Sequence, residues 1–337
     1  MRSLTRLRSF LSRHENQLWW LHSAYALVLG IGAMWLGARH FTLLRLVVIY
    51  IAFIWVTSLI VLGLVDQPDA SSRWRRRVRL VLNYFNKNFY QQLLFFLLPV
   101  YWASTTAWSR NMPFVVFLAA SAVLSTLDVV YDRHLSVRRG LAAVFFAFNL
   151  FACINAMLPT VWSISDRAAL PVSAVLALVA FVTVRYPPHE WRRRRVRVVI
   201  VASALVLLAA VEWGAPFIPP VPLRLARVEI GGGINRRALR VTSPLAELVP
   251  GWSGRLYAVT AIRAPLGLED KVRHRWFHNG REVFASAFYR VQGGRAEGFR
   301  LWTSHMFRPL PPGATVRLDV ETEAGQLIGR AWLRVGP

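Results

Sequence analysis

The sequence contains a single cysteine among its 337 residues, Cys153, and this residue lies inside an apolar run. A disulfide needs two thiols, so any domain of this chain must be held together by its hydrophobic core. Zinc sites that depend on several cysteine ligands are excluded as well.

The residue patterns of the common catalytic sites are also missing. The chain has no Gly-x-x-x-x-Gly-Lys, His-Glu-x-x-His, Cys-x-x-Cys or Gly-x-Ser-x-Gly. Gly231-Gly232-Gly233 lies between two predicted strands, so we interpret it as a loop and not as a phosphate cradle. The sequence therefore assigns no catalytic residue and no cofactor.

Acidic residues and lysines are scarce. Seventeen acidic residues stand against 41 basic ones, the formal net charge is +24, and only Lys87 and Lys271 are lysines. Such a charge on a soluble protein would suggest nucleic acid as the partner. Here many of the arginines flank apolar runs, and the preference for arginine over lysine is typical of a genome-wide bias. We therefore predict that nucleic acid is not a partner.

Long apolar runs are abundant. Hydrophobic residues make up 55% of the chain, more than a soluble domain can bury. A bilayer span needs about 20 such residues. On this basis the sequence predicts a polytopic α-helical membrane bundle of about seven transmembrane helices: Leu18–Ala38, Leu43–Val65, Phe89–Trp108, Met112–Tyr131, Leu141–Leu158, Ala168–Val184 and Val196–Gly214.

The arginines are distributed unevenly between the two ends of these runs. The amino-terminal tail and the even-numbered connections carry nineteen basic residues, whereas the odd-numbered connections carry four. The positive-inside rule then predicts a cytoplasmic amino terminus. Seven spans would place the carboxy-terminal part outside, and with no organelle signal we predict a bacterial inner-membrane protein with a periplasmic domain.

The predicted domain organisation has four parts. They are an amphipathic cytoplasmic segment (1–17), the seven-helix membrane domain (18–214), a Pro-rich linker (215–222) and a periplasmic β domain (223–337). Because the linker contains Pro216, Pro219, Pro220 and Pro222, we expect it to be extended and to hold the β domain just off the membrane surface.

Alternating polar and apolar residues after the linker predict an all-β, immunoglobulin-like sandwich. Asn279-Gly280 between two such runs is a strong signal for a type I′ hairpin. The predicted strands are Leu223–Ile230, Arg237–Val241, Arg255–Arg263, Lys271–His278, Glu282–Arg290, Gly298–Ser304, Thr315–Glu321 and Leu327–Val335.

Three short motifs of this region resemble a bacterial family. They are the run His274-Arg275-Trp276-Phe277-His278-Asn279-Gly280, the run Leu301-Trp302-Thr303-Ser304, and Pro312-Gly313 before a closing strand. Together they resemble domain-of-unknown-function family 2914, and the layout of the spans resembles the companion 5924-type membrane region. The resemblance implies a fold and a topology; the family has no assigned activity.

Polar residues within the apolar runs are candidate functional residues, because burying an unpaired polar group is costly. Asp128 and Asp132 are four residues apart and share one helix face, a spacing that suits a divalent metal for phosphoryl chemistry on lipid. The alternative is simple pairing with nearby arginines such as Arg133. His22 lies within the first predicted span and either lines a polar cavity or bonds a neighbouring helix.

A second group of candidates lies in the β domain. Strand alternation puts His274, Trp276 and His278 on one face. Zinc between the histidines is one interpretation, and a core tryptophan flanked by two histidines is the other. Trp302 is either a core residue or, if exposed beside arginines, a platform for a sugar or a lipid head group.

The favoured function is that of a membrane-anchored binding or scaffold protein. Its periplasmic sandwich would recognise an envelope protein or glycan, and the Arg-rich cytoplasmic loops would contact anionic lipid head groups of the bilayer. The alternatives are a transporter or lipid-handling bundle with an accessory β domain, and a metal-dependent lipid-phosphate enzyme that uses Asp128 and Asp132.

Overall fold

The computed structural model describes residues 15–39, 92–127, 138–186, 190–268 and 270–337. The chain divides into two compact units. The second unit comprises Val100–Val115, Ile154–Val175 and Ala202–Pro337, so it contains the β domain and the ends of several helices. The first unit holds the remaining described helical residues.

The described residues contain six α-helices of more than two turns. They are α1 (Glu15–Arg39), α2 (Gln92–Ala103), α3 (Met112–Thr126), α4 (Arg139–Trp162), α5 (Asp166–Arg185) and α6 (Arg194–Gly214), with a short 3-10 helix, Ala215–Phe217, after the last. Alanine, leucine and other apolar residues dominate them. Pro113 is the second residue of α3, whereas Pro159 and Pro171 lie inside α4 and α5.

The prediction of seven transmembrane helices is wrong. Among the described residues, three helices are long and apolar enough to cross a membrane: Gly140–Trp162, Asp166–Thr183 and Arg194–Phe217. These correspond to the last three predicted spans. The second predicted span, Leu43–Val65, and the amphipathic segment up to residue 14 lie outside the described residues.

The third and fourth predicted spans fail because apolar composition does not fix the length of a helix. The described part of α2 rises only about 18 Å, since the chain turns at Ser104–Asn111, where Trp108 adopts a positive φ of 60°. Helix α3 rises about 22 Å, which is short of the roughly 30 Å hydrocarbon core. Helix α1 has 25 residues, and its described apolar stretch is Ser23–Gly32.

Helix α6 exposes an apolar surface along its length. Only 6% of its candidate span is buried, and Val201, Leu205 and Val206 are among its exposed side chains. A soluble protein rarely leaves so much apolar area in contact with water. An exposed apolar surface of this size marks a contact with lipid or with another protein.

The β domain is all-β, as the sequence predicted. Its strands are β1 (Arg224–Gly231), β2 (Ile234–Asn235), β3 (Arg240–Val241), β4 (Glu247–Leu248), β5 (Gly254–Arg263), β6 (Lys271–His278), β7 (Arg281–Ala285), β8 (Tyr289–Arg290), β9 (Phe299–Phe307), β10 (Thr315–Thr322) and β11 (Leu327–Val335). One sheet has the order β1-β5-β9, and a second has the order β4-β11-β10-β6-β7 with β8 beside β6. All pairings are antiparallel except that of β4 with β11.

The two sheets pack face to face around a common core. Trp276 of β6 is fully buried and shares one apolar cluster with Leu256 of β5 and Phe307 of β9. A second cluster forms around Ile262 and Val320 near the other end of the sheets. Alternate residues of each strand supply these clusters, which is the pattern from which the strands were predicted.

The hairpin between β6 and β7 has the predicted type I′ turn. Asn279 and Gly280 have φ values of 47° and 79°, and His278 pairs with Arg281 across the turn. Two strand predictions differ from the structure. The predicted strand Arg237–Val241 is the end of a small β2–β3 hairpin, and Glu282–Arg290 is interrupted between β7 and β8, where Ser286 donates its backbone N–H to the carbonyl of His274.

The sandwich is bound directly to helix ends within the second unit, a region that we call the junction. The Asn111 side chain donates to the Leu327 carbonyl (3.1 Å), Ser163 Oγ donates to the Leu266 carbonyl (3.3 Å), and Arg167 pairs with Glu323 (3.0 Å). The predicted stiff linker is therefore not an extended spacer: it starts with a 3-10 turn, and Val221 is fully buried.

The turn at Gly280 provides a test of the fold. Gly280→Ala should lower the free energy of unfolding of the β domain by about 1 kcal/mol, because a Cβ is disfavoured at positive φ, although the space around Gly280 is open. The measurement is thermal unfolding of the full chain in detergent, followed by the circular dichroism of the β-sheet.

Gly232→Ala is the matched control. Gly232 also has open space around it but lies outside the left-handed region, so this variant should unfold like the wild type. Equal unfolding of both variants would contradict the assigned turn.

Candidate functional site

Part of the predicted site cannot be placed in the structure. Asp128 and Asp132 lie outside the described residues, and so does the side chain of His22, whose backbone belongs to α1. Within the described residues, no group of three or more His, Cys, Asp or Glu side chains is arranged to hold a metal ion. The metal-dependent hypothesis thus gains no support from the described part of the chain.

His274 and Trp276 belong to a chain of hydrogen bonds inside the sandwich. Trp276 Nε1 donates to Thr303 Oγ1 (3.0 Å), and this hydroxyl lies 2.8 Å from His274 Nδ1. On the other side of the ring, His274 Nε2 lies 2.8 Å from Thr260 Oγ1, which donates to the Leu301 carbonyl (3.4 Å). Every proton has an acceptor if Thr303 donates to Nδ1 and the Nε2 proton goes to Thr260.

This chain makes His274 a structural residue. The side chain is fully buried, and burial lowers its pKa from 6.5 to about 3, so the ring is neutral at physiological pH. A protonated His274 ring would donate from both nitrogens. Thr303 could then no longer donate to Nδ1, and the chain of hydrogen bonds would be broken. His278, four strand residues away and thus about 13 Å along β6, cannot share a ligand with it. The core interpretation of His274 and Trp276 therefore fits the structure and the zinc interpretation does not.

The outer face of the β1-β5-β9 sheet carries a different kind of site. Val259 and Ala261 of β5 form the floor of a depression of about 230 Å³. We call this depression the basic groove. Charged side chains from three segments surround it: Arg227 and Glu229 of β1, Arg240 of β3, and Glu297 and Arg300 at the start of β9.

The β2–β3 hairpin covers one side of the groove and is fixed there by hydrogen bonds. Asn235 Oδ1 accepts from the backbone N–H groups of Arg237 (3.1 Å) and Ala238 (3.0 Å), which forms a tight turn. Arg300 donates to the Ala238 carbonyl (2.7 Å) and ties the hairpin to the sheet. The wall of the groove is thus held in place by local bonds.

Trp302 lies on the same face, one alternate position along β9 from Arg300. It pairs with Val259 of the groove floor and is partly exposed. The Arg236 guanidinium lies 5.2 Å from its ring centroid, a cation–π arrangement. The structure therefore brings Trp302, one of the predicted residues, beside a set of arginines that sequence reasoning did not group together.

The charges of the groove favour an anion. Three arginines face two glutamates; Arg300 pairs with Glu297, and Arg227 pairs with Glu229 (2.5 Å). Arg240 is exposed and has no ion-pair partner among the residues that the structure describes. A guanidinium with free N–H donors is suited to a carboxylate or phosphate group.

The opposite sheet also carries arginines, and several of those on its central strands form ion pairs within the sheet. Arg275 donates to Glu321 (3.0 Å), and Arg330 makes two hydrogen bonds to Asp319 (2.6 and 2.8 Å). Cross-strand pairs of this kind stabilise the sheet. The groove on the β1-β5-β9 sheet is therefore the stronger candidate for a ligand.

A buried acidic pair at the junction was missed by the sequence reasoning. Asp166, at the start of α5, donates its backbone N–H to the Asp270 carboxylate (3.0 Å to Oδ1 and 3.3 Å to Oδ2). Both side chains are buried, at 2% and 4% exposure. The two residues are separated by more than a hundred positions, and only the tertiary structure brings them together.

Asp270 caps the amino terminus of helix α5, although it belongs to a distant part of the chain. A carboxylate at a helix amino terminus is favoured by the exposed N–H groups and the helix dipole. Burial nevertheless raises its pKa to about 6, against the lowering effect of the Asp166 hydrogen bond, and Glu323 raises the pKa further. At neutral pH the junction therefore contains the buried, charged carboxylate of Asp270, which lowers the stability of the folded state.

His274 predicts one dependence on pH. Because its pKa is lower in the folded state, the unfolded chain takes up the proton as the pH falls below 6.5, and the wild type should lose about 1.4 kcal/mol per pH unit from this group. His274→Gln should be less stable at pH 7 but should lose less stability between pH 6.5 and pH 5. Thermal unfolding of both proteins across this range is the measurement, and parallel curves would contradict the assignment.

Asp270 predicts the opposite dependence. Its pKa is raised on folding, so its charge destabilises the folded state as the pH rises from about 4 to about 6. Asp270→Asn keeps an acceptor for the Asp166 N–H and removes the charge. Its stability relative to the wild type should increase by up to about 3 kcal/mol between pH 4 and pH 7.

The control for Asp270→Asn is Glu247→Gln, which neutralises an exposed carboxylate of β4. Both variants are followed by thermal unfolding of the full chain in detergent. If the difference in unfolding free energy between Asp270→Asn and the wild type did not change between pH 4 and pH 7, the Asp270 charge would not be buried.

Comparison with known families agrees with the resemblance seen in the sequence. Residues 269–335 match the family described as Protein of unknown function (DUF2914), and residues 1–250 match the one described as Family of unknown function (DUF5924). No curated protein matches the chain. The first match continues past the helices to β4, so it includes part of the sandwich. Because that match spans most of the sequence, the chain belongs to the family of unknown function DUF5924.

Proposed function

We propose that this protein is a membrane-anchored binding protein whose β domain recognises an anionic component of the bacterial envelope through the basic groove. The single observation that carries the proposal is the groove itself: a walled depression lined by Arg240, which has no ion-pair partner among the described residues. Trp302, with Arg236 over its ring, lies on the same face of the sheet. The absence of catalytic motifs from the sequence supports binding over catalysis.

The membrane anchor in this proposal consists of the three candidate spans. Arg138 precedes α4 and Arg139 begins it, and Arg192–Arg195 precede or begin α6, whereas the short connection between α4 and α5 is followed by Arg167 alone. The positive-inside rule puts the Arg-rich ends in the cytoplasm. The β domain, after the end of α6, then faces the periplasm of an inner-membrane protein.

The Arg-rich segment before α6 supports an additional contact with lipid. Arg192, Arg193, Arg194 and Arg195 are exposed, and only Arg193 has an ion-pair partner, Glu190 (3.2 Å), among the described residues. Clusters of this kind are attracted to anionic head groups of the cytoplasmic leaflet. In the proposed function they orient the anchor and do not form the recognition site.

The chemistry of the groove narrows the class of ligand. The arginines offer charge-assisted hydrogen bonds to carboxylate or phosphate groups, while the Trp302 ring offers an apolar surface of the kind that packs against a sugar ring. An envelope glycan that carries acidic groups has both features. Of the two partner types predicted from the sequence, protein and glycan, the groove favours the glycan.

The transporter and lipid-handling alternatives gain no specific support. Their predicted residues, His22 and Asp128, have no described side chains. The buried Asn155 amide donates to the Tyr101 hydroxyl (3.3 Å), and Asn149 donates to the Phe145 carbonyl of its own helix (2.7 Å). Both contacts are of the kind that holds helices in place.

The proposal is tested by reversing the unpaired charge of the groove. Arg240→Glu in the full-length protein, reconstituted in nanodiscs, should bind lipopolysaccharide at least about tenfold more weakly than the wild type, which corresponds to roughly 1.4 kcal/mol or more. Binding is measured by biolayer interferometry, with neutral dextran as the reference polymer. Affinity should also fall as salt is raised, because the contact is electrostatic.

The matched control is Arg334→Glu on β11. Arg334 is also an exposed arginine, but it belongs to the other sheet. Both variants change the net charge by the same amount, so equal losses would indicate non-specific attraction and overturn the groove as the recognition site. Unchanged affinity of Arg240→Glu would do the same.

A further inference from the structure

Large exposed aromatic residues occupy the helix ends of the second unit. Trp102 is at the end of α2, Trp108 is in the α2–α3 connection, Trp162 ends α4, and Trp213 is next to the last residue of α6. All four are exposed, and Trp108 is 97% exposed. Tryptophan at the ends of apolar helices is typical of the boundary between lipid and water.

One exposed apolar side chain of the sandwich lies next to these helix ends. Leu266, in the loop between β5 and β6, is 75% exposed. Its carbonyl accepts a hydrogen bond from Ser163 (3.3 Å), and Ser163 directly follows Trp162. At Gly267 a Cβ would come within 3.1 Å of Ser163 Oγ, so the loop contacts the end of the helix closely.

The loop is therefore held beside Trp162 at the end of α4. We infer that Pro265-Leu266-Gly267 enters the outer interface of the lipid bilayer, so that the sandwich itself binds the membrane surface. This inference rests on the proposed membrane insertion of α4 and α6. It goes beyond the proposed function because it assigns a lipid contact to the β domain, outside the basic groove.

The observations favour lipid over a protein partner at this position. The loop is joined to the end of a candidate span and is not an isolated patch, so the bilayer that surrounds the span also reaches the loop. The connection that holds the loop continues into α5 with the exposed Arg167, which pairs with Glu323. An apolar tip beside a tryptophan at the end of a candidate span matches a lipid interface.

The same arrangement positions the basic groove. Strand β5 runs from the loop at its Arg263 end to Gly254, about 30 Å away. Val259, in the groove floor, lies about 13 Å along the strand from Arg263. If this loop contacts the bilayer, the groove lies closer to the membrane than Gly254 at the far end of β5 does.

The test places one fluorescent probe at a time on the full-length protein. Cys153→Ala removes the native thiol, and Leu266→Cys, Val249→Cys and Val206→Cys are then labelled with an environment-sensitive dye. Val249 is 67% exposed near the far end of β5, and Val206 is 68% exposed in the middle of α6. The proteins are reconstituted in phosphatidylethanolamine–phosphatidylglycerol vesicles with spin-labelled lipid as the quencher.

The expected result is strong quenching at position 206, quenching at position 266 at least threefold stronger than at position 249, and a blue-shifted emission at 266. Quenching at 206 with equal, weak quenching at 266 and 249 would overturn the lipid contact of the loop and leave the membrane anchor intact. Weak quenching at all three positions would overturn the membrane anchor and this inference with it.

Discussion

The bond between the Asp270 carboxylate and the first N–H of α5 is the contact on which the arrangement of the second unit depends. It joins the residue before strand β6 to the start of a candidate span. Arg167–Glu323 and Asn111–Leu327 join other parts of the sandwich to helix ends of the second unit. A helix end with a buried partner in a second element fixes both elements. The position of the Leu266 loop relative to the helix ends of the second unit follows from these contacts.

This arrangement places a charged carboxylate in a buried position, which costs stability. The core of the sandwich contains no such charge, because its buried histidine is neutral. At the junction, Asp270 is buried with a pKa of about 6, so it carries most of its charge at neutral pH. In the core, His274 is kept neutral, and two threonines and Trp276 complete its hydrogen bonds. Acid therefore destabilises the folded state through His274 and stabilises it through Asp270. Because the two effects oppose each other, the stability of the wild-type domain alone reveals neither of them.

The family boundaries and the structural boundaries do not coincide. The DUF5924 match ends at residue 250, after β4, and the DUF2914 match begins at residue 269, just before β6. Strand β1 from the first match pairs with β5, and β4 pairs with β11 from the second. Neither matched region contains a complete sandwich, so in this chain the two regions form one folded domain together.

The sequence by itself determined the features that depend on local pattern: apolar helices, alternating strands and the Asn279-Gly280 turn. It could not determine helix length, because apolar composition does not reveal where the chain turns, as it does at Ser104–Asn111 after α2. Only the tertiary structure decided the candidate site. Arg227, Arg240 and Arg300 come from three separate segments, and Asp166 meets Asp270 across more than a hundred residues. Such contacts are set by the pairing of distant strands and by the docking of the sandwich on helix ends, and neither leaves a local signal in the sequence.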